Sequence, residues 1–341
     1  MKKSLIAMGL AATMIVGTST SVFAWEQKKE AKEDLVVGAS FKTLQEERWV
    51  RELGVLEDVC EENDIDFVYQ VSENDAMKQA GQIENMVSQG IDILVVMTNE
   101  KETIANALRE ASEAGVLVCY YESTNGETYA DLAGGNSEYA IGCQITQAAA
   151  EAGVSGKVAF MYGDAAGGTG VYAFHDGMHD SLENNDIEVI GEQWATNWDP
   201  SIALSNTENW IAQYGEDLKA VFCMNDGLAG GAIQALEKAG LAGKVIVTGQ
   251  DCDLVAVQRI IEGTQLSTIL KSGIEYPKQF MDTCIKYYFG ELTDADFEMS
   301  EENCDGVKIP FFKYDGQIIT KDNVDDVITA GVYTHEEVYG E

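Results

Sequence analysis

From residue 35 onward, short runs of β-branched and other apolar residues alternate with longer stretches in which apolar positions recur every three or four residues. The runs predict strands over 35–41, 66–71, 93–97, 116–121, 157–162, 188–194, 220–224, 244–249 and 266–270. The longer period predicts helices between them, over 44–63, 76–89, 102–114, 139–152, 171–184, 201–214, 228–239 and 254–262. Several strand runs are apolar at consecutive positions, as in Ile93-Leu94-Val95-Val96. That pattern is required when helices cover both faces of a parallel sheet. The expected fold is therefore α/β, with doubly wound parallel sheets.

Nine strands are too many for one compact sheet of this kind and divide more naturally into two lobes. The polar, glycine-containing stretch 125–136 is the expected boundary, and segments 272–290 and 307–314 can return to either half. The lobes are thus expected to be discontinuous: 34–134 plus 273–304 for the first, 135–272 plus 305–341 for the second. Several crossovers would then form a hinge beside a cleft lined by the carboxyl ends of strands.

Composition narrows the function. Hydrophobic residues make up 45% of the 341 and charged residues 23%, which supplies a core and excludes a disordered chain. Acidic residues outnumber basic ones 58 to 22, for a net charge of −36. With no basic stripe in the sequence, nucleic-acid binding is disfavoured. Residues 1–24 read as an export signal: Met1-Lys2-Lys3, an apolar run over 4–17, and small residues at Ser21-Val22-Phe23-Ala24. The first cysteine is Cys60, so no lipobox cysteine follows Ala24. The seven cysteines are odd in number and show no Cys-x-x-Cys pair, which points to free, buried thiols.

Ligands of open α/β sheets bind beyond the carboxyl ends of strands. The polar residues that close the apolar runs are Glu122, Asn225, Asp226, Asp251 and Lys271. Arg48-Trp49 opens the first helix, and Trp194 and Trp198 flank Asn197. Carboxylates and amides bridge adjacent hydroxyls while aromatic rings cover C–H faces, so the set suits a neutral polyhydroxylated ligand. Any one Asp or Asn at such a junction serves equally well as a helix N-cap. The glycine-rich run Gly163–Gly170 lacks the Lys-Ser/Thr ending of a phosphate loop and reads as a loop lining the cleft. His175 and His179 stand one helical turn apart, but with no Glu between them and no third ligand in view they read as a solvated helix face. No nucleophile elbow or triad can be assembled. Neither a metal, nor a cofactor, nor catalysis is expected.

Several segments carry a pattern of their own: Glu47-Arg48-Trp49, Gln82-Ile83-Glu84-Asn85-Met86, and Gly191-Glu192-Gln193-Trp194 with Trp198 and Pro200. Others are Asn225-Asp226 with 229–236, and Gly249-Gln250-Asp251 running through Arg259-Ile260 and Gly263-Thr264-Gln265 to Lys271. In these the chain resembles the periplasmic sugar-binding proteins of ABC importers, ribose and galactose type, and within them the D-xylose-binding branch. The resemblance implies two lobes joined by three crossovers and closing on a monosaccharide. It assigns ligand contacts to Arg48, Asn225, Asp226 or its neighbour, Asp251 and Lys271, with Trp198 stacking on the sugar and Asn136 at the first crossover. Glu122-Ser123 stands where the xylose pattern has Asp-Arg, and Gly168-Thr169 where it has paired Asn. Each lost hydrogen bond to a buried ligand is worth about 1–3 kcal/mol, enough to change which sugar is preferred. The implied role is an exported, monomeric receptor, in the periplasm or on the outer face of the envelope, that captures xylose or a related pentose or hexose. It would hand that sugar to an ABC permease or, alternatively, report it to a membrane histidine kinase or chemoreceptor.

Overall fold

The computed structural model describes residues 27–98, 100–271 and 273–340. The first lobe begins with β1 (Val36–Phe41), α1 (Glu47–Glu62), β2 (Asp66–Val71), α2 (Ala76–Gln89), β3 (Ile93–Val96), α3 (Lys101–Glu113), β4 (Leu117–Tyr120) and β5 (Leu132–Gly135). The chain then crosses to the second lobe for α4 (Glu138–Glu151), β6 (Gly156–Tyr162), α5 (Gly168–Asp180), β7 (Ile187–Trp194) and α6 (Pro200–Tyr214). That lobe continues with β8 (Leu218–Cys223), α7 (Asp226–Lys238), β9 (Ile246–Thr248), α8 (Leu254–Glu262) and β10 (Ser267–Leu270). The first lobe is completed by α9 (Glu275–Tyr288), β11 (Glu298–Glu302) and β12 (Lys308–Lys313), and the second by β13 (Gln317–Thr320), α10 (Asp326–Thr329) and α11 (His335–Tyr339). Residues 1–24, read as an export signal, lie outside the described residues.

The strand orders are β11-β12-β5-β4-β3-β1-β2 and β13-β10-β9-β8-β6-β7. Pairing is parallel except at one edge of each sheet, where β11 meets β12 and β13 meets β10 antiparallel. The all-apolar strands are buried on both faces, Ile93, Leu94, Val95 and Val96 completely. One face of the first sheet packs on α1 and α9 through Leu56, Tyr276 and Phe280, and the other on α2 and α3 through Ile83 and Leu108. Local chemistry sets the helix ends. Asp75 caps α2 by accepting from the Lys78 N–H, and Asp199 caps α6 just ahead of Pro200. α2 ends at Gly90 and α8 at Gly263, at φ 88° and 84°.

Two boundaries differ from expectation. The stretch 125–136 is not simply a linker, because Leu132–Gly135 is a strand of the first sheet and the chain crosses only at Asn136. Its glycines disguise it: a Cβ on Gly134 would stand 2.8 Å from the Phe280 ring, so the close approach of α9 requires a residue without one. The second return also comes later than residue 305, since β12 pairs with β5, Phe311 opposite Ala133, and therefore belongs to the first lobe. The first and third crossovers are tied together, the Tyr314 N–H donating to the Gly135 carbonyl at 2.9 Å and the Asn136 amide to the Tyr314 carbonyl at 2.5 Å.

All seven cysteines are free, five of them buried, and burial pushes the Cys60 thiol up to about 12. Among the described residues no helix is long and apolar enough to cross a membrane. Asp131, 1% exposed, accepts from the Val118 N–H, the Ser112 hydroxyl and the Tyr129 hydroxyl at 2.9–3.1 Å. Burial nonetheless outweighs these donors and raises its carboxyl from 3.8 to about 6. The folded state thus holds this proton more tightly than the unfolded chain. The resulting stabilisation is complete below pH 3.8 and is lost as pH rises through about 6. Urea titrations from pH 5 to 8 should show the native chain losing roughly 1–1.5 kcal/mol relative to Asp131→Asn. A pH-independent difference would contradict the assignment.

Candidate binding cleft

The carboxyl ends of both sheets face one another across a single cleft. From the first lobe, Lys42 and Glu46 follow β1, Arg48 and Trp49 open α1, Thr98 and Lys101 follow β3, Tyr121 and Glu122 follow β4, and Tyr276 enters from α9. From the second lobe come Gly167, Gly170, Val171 and Phe174 after β6, Trp198 after β7, Asn225 after β8, Gln250 and Asp251 after β9, and Lys271 after β10. Gly135, Asn136 and Glu138 line it where the chain first crosses.

Seven of the eight residues expected at the site line this cleft: Arg48, Glu122, Asn136, Trp198, Asn225, Asp251 and Lys271. Asp226 does not. As the first residue of α7 it turns inward, its carboxylate accepting from the Gln265 amide (2.8 Å), the Thr268 hydroxyl (2.6 Å) and the Asp253 N–H (3.0 Å). It therefore fastens the start of α7 to the loop after β9 and to β10 with the residues just ahead of it. Its neighbour Asn225 caps α7 with its amide oxygen, which accepts from the Leu228 N–H at 2.9 Å and leaves the amide nitrogen for a ligand. Trp194 also lies elsewhere, packed on Tyr162 and Tyr172 with centroids 4.8 and 5.2 Å apart. Ser123 turns away as well, its hydroxyl donating to Glu301 at 2.8 Å.

Charges in the cleft balance, with Lys42, Arg48, Lys101 and Lys271 against Glu46, Glu122, Glu138 and Asp251. Arg48 is 4% exposed and donates through Nε to Glu52 at 2.6 Å. Its Nη1 stands 3.9 Å from Glu122 and 3.7 Å from Asp251, and Lys271 Nζ stands 3.6 Å from Asp251. These three separations are electrostatic contacts but exceed hydrogen-bond length. The donors and acceptors are held in place with bonding capacity still unspent. Burial works against the Arg48 charge, but Glu52, Asp251 and Glu122 more than compensate, so the guanidinium stays charged. Burial likewise opposes the Glu122 carboxylate, and Lys42, Lys271, Arg48 and Lys101 together hold it below its usual value. Lys271 is lowered, by burial first and by Arg48 second. Glu46 and Glu138 are raised by burial.

Backbone strain collects here. Asp251 and Cys252 have φ of 99° and 56°, and Asn197 and Trp198 have 54° and 56°. Such angles cost free energy in residues other than glycine and persist only where the surroundings enforce them. For Asp251 and Cys252 the enforcement comes from backbone and hydroxyl bonds to β10, through the Ile269 carbonyl and the Thr268 Oγ. For Asn197 it is the Asp164 carboxylate, which accepts from its N–H at 2.6 Å. Trp198 is then pressed against Gly163, where any Cβ would overlap the indole.

The lobes touch on both sides of the cleft. Glu47 accepts from the Leu254 N–H at the start of α8 and from the Tyr333 hydroxyl, while Glu127 accepts from the Thr169 N–H at the start of α5. The conformation is closed. Lys42, Glu46, Trp49, Thr98, Lys101, Tyr121, Glu138, Phe174, Gln250 and Tyr276 also line the cleft but were not singled out as ligand contacts, Trp49 only as the neighbour of Arg48. Lys42 and Thr98 could have been found by the strand-end rule, because each follows an apolar run directly. Phe174 gave no sign, since its spacing from Val171 is that of any core-facing helix residue. Replacing Asp226 by Ala should leave three donors, two of them buried, without this acceptor and cost about 2–3 kcal/mol in denaturant unfolding; an unchanged midpoint would remove its anchoring role.

Residues 37–291 match a family model described as a periplasmic binding protein domain. The chain is 29% identical over 312 residues to the D-xylose-binding periplasmic protein of Haemophilus influenzae, covering 90% of this chain and 92% of that one. To the protein of the same name from Escherichia coli it is 28% identical over 325 residues, covering 94% and 97%. Among solved structures, its fold is similar to that of an ABC transporter solute binding protein from Clostridium phytofermentans with bound β-D-glucose. The TM-score is 0.75 at 23% identity, over 89% of this chain and 99% of that one.

Proposed function

The chain belongs to the periplasmic binding protein family, and from that premise we propose that it is an exported receptor which captures a monosaccharide, D-xylose or a related pentose or hexose, and presents it to an ABC permease. The observation that supports this most is the state of the cleft: charge-balanced, partly roofed by Trp198, with Arg48, Glu122, Asp251 and Lys271 spaced just beyond hydrogen-bond length from one another. A neutral polyol fits such a frame. Its hydroxyls donate to Glu122 and Asp251 and accept from Arg48, Lys271 and the amides of Asn136 and Asn225, while its C–H face lies on the indole. Gln250 Oε1 and Glu46 Oε2 add two buried acceptors with no partner among the described residues.

No bond is made or broken in this role; the work is a shift in population. Arg48 and Glu122 belong to the first lobe, and Trp198, Asn225, Asp251 and Lys271 follow strands of the second or stand at its hinge. A ligand that touches both sets binds the closed form better than the open one and so favours closure. The closed protein, acting as a monomer, is then the species a permease engages. The names of the relatives support periplasmic residence and sugar binding rather than enzymatic chemistry.

A thermal-shift screen against pentoses, hexoses and their alditols, followed by calorimetry, tests this reading. One aldose should raise the melting temperature by mass action, and Arg48→Ala should weaken its binding at least about 100-fold, or 2.7 kcal/mol. If no monosaccharide at millimolar concentration moves the transition, the sugar assignment fails. Gly163→Ala should lower affinity at least about tenfold by displacing the Trp198 indole, although residue 163 makes no ligand contact itself. Unaltered affinity in that variant would rule out stacking by Trp198.

A further inference from the structure

The two histidines set aside for want of a third ligand acquire one in the fold. α5 lies over the β6–β7 edge of the second sheet, and Glu192 of β7 rises to meet His175 and His179. One ligating atom from each of the three falls within 4.8 Å of the other two. Glu192 Oε1 is 3.0 Å from His179 Nε2 and 3.8 Å from His175 Nε2. Four ligands placed tetrahedrally about zinc at bond lengths of about 2.0–2.1 Å stand roughly 3.3 Å apart, a value these separations bracket. We propose that His175, His179 and Glu192 form a binding site for a divalent transition metal of the zinc class, between α5 and the edge strand β7 and separate from the sugar cleft.

Three features distinguish this group from a chance cluster. The imidazoles stand 4.6 Å apart, and both direct Nε2 toward the same carboxylate oxygen. Their rings are braced from behind, His179 stacked on Phe160 at 4.3 Å and His175 parallel to Trp194 within 12°. His175 Nδ1 meets the Asp176 carboxylate at 2.9 Å, which places its proton there and leaves Nε2 as a lone-pair donor. A carboxylate behind a histidine is the usual outer partner of a metal-bound imidazole. The side chains of His175 and His179 are about 30% exposed, so an ion can enter from solvent. A water molecule can complete the tetrahedron, while the Tyr162 hydroxyl, 2.7 Å from His179 Nε2, donates to the Glu192 carboxylate at 2.6 Å. Two imidazoles and one carboxylate are a nitrogen and oxygen set that suits zinc better than calcium or magnesium.

The site also has a mechanical position. Val171 and Phe174 of the same helix line the sugar cleft. An ion joining α5 to β7 would fasten one wall of that cleft to the sheet.

The test is zinc titration of tag-free, chelator-stripped protein by calorimetry, with cobalt as a spectroscopic probe. One ion per chain is expected, and the cobalt form should show the intense visible bands of a tetrahedral centre. His179→Gln and Glu192→Gln should each weaken zinc binding about 100-fold or more, and Asp176→Asn, a positioning change, about tenfold. Circular dichroism establishes that each variant is folded, and the cobalt spectrum of the unaltered chain requires no variant. Absence of stoichiometric uptake, or uptake that these substitutions leave unchanged, would overturn the proposal and leave a hydrogen-bonded His-Glu-Tyr cluster. Neither result depends on which sugar the cleft binds, or on whether it binds one.

Discussion

A guanidinium buried to 4% exposure must be paired, and the pairing of Arg48 organises much of the molecule. Glu52, one helical turn away, satisfies it at hydrogen-bond distance within the first lobe. Glu122 and Asp251 approach the opposite side of the group, and of these Asp251 belongs to the second lobe. Bringing the lobes together therefore adds a carboxylate to a cation that α1 already holds in place. It also brings in Lys271, whose own charge is disfavoured by burial and by Arg48 and supported by Asp251 and Glu122. The cleft is an electrostatic frame whose members hold one another charged without being close enough to exhaust their hydrogen bonds.

That frame needs rigid supports, and these lie behind the cleft. Asp226 ties the start of α7 to the loop after β9 and to β10 by accepting from Thr268, Gln265 and the Asp253 N–H. Asp251 can then keep an unfavourable φ of 99° because its backbone is bonded to β10. A comparable division of labour positions the indole: Asp164 holds Asn197, and the bare Gly163 leaves room for Trp198. The polar residues behind the site are as much a part of its geometry as those facing it.

Where burial on both faces demanded an unbroken apolar run, as in Ile93-Leu94-Val95-Val96, the strand was legible in the sequence. It was not legible where tertiary packing or exposure set the composition. β5 is Leu-Ala-Gly-Gly because Phe280 lies against it, and β11 is Glu-Met-Ser-Glu-Glu because it is an exposed edge. The strand-end rule found Glu122, Asn225, Asp251 and Lys271, since parallel strands must all deliver their carboxyl ends to one side. It could not tell that Asp226 turns inward, because its acceptor role depends on Gln265 and Thr268, about forty residues further on. Nor could spacing join Glu192 to His175 and His179, for the three meet only once β7 and α5 are packed together.

The bonds between Gly135, Asn136 and Tyr314 tie two of the three crossovers side by side. Mechanically, strips fastened edge to edge fold easily about the line they share but strongly resist shear and twist. Two hydrogen bonds along that line favour bending of the crossovers over sliding of one past the other. In a receptor of the proposed kind, such a hinge would let the size of the ligand set how far the two lobes close, and so the separation of points on their outer surfaces.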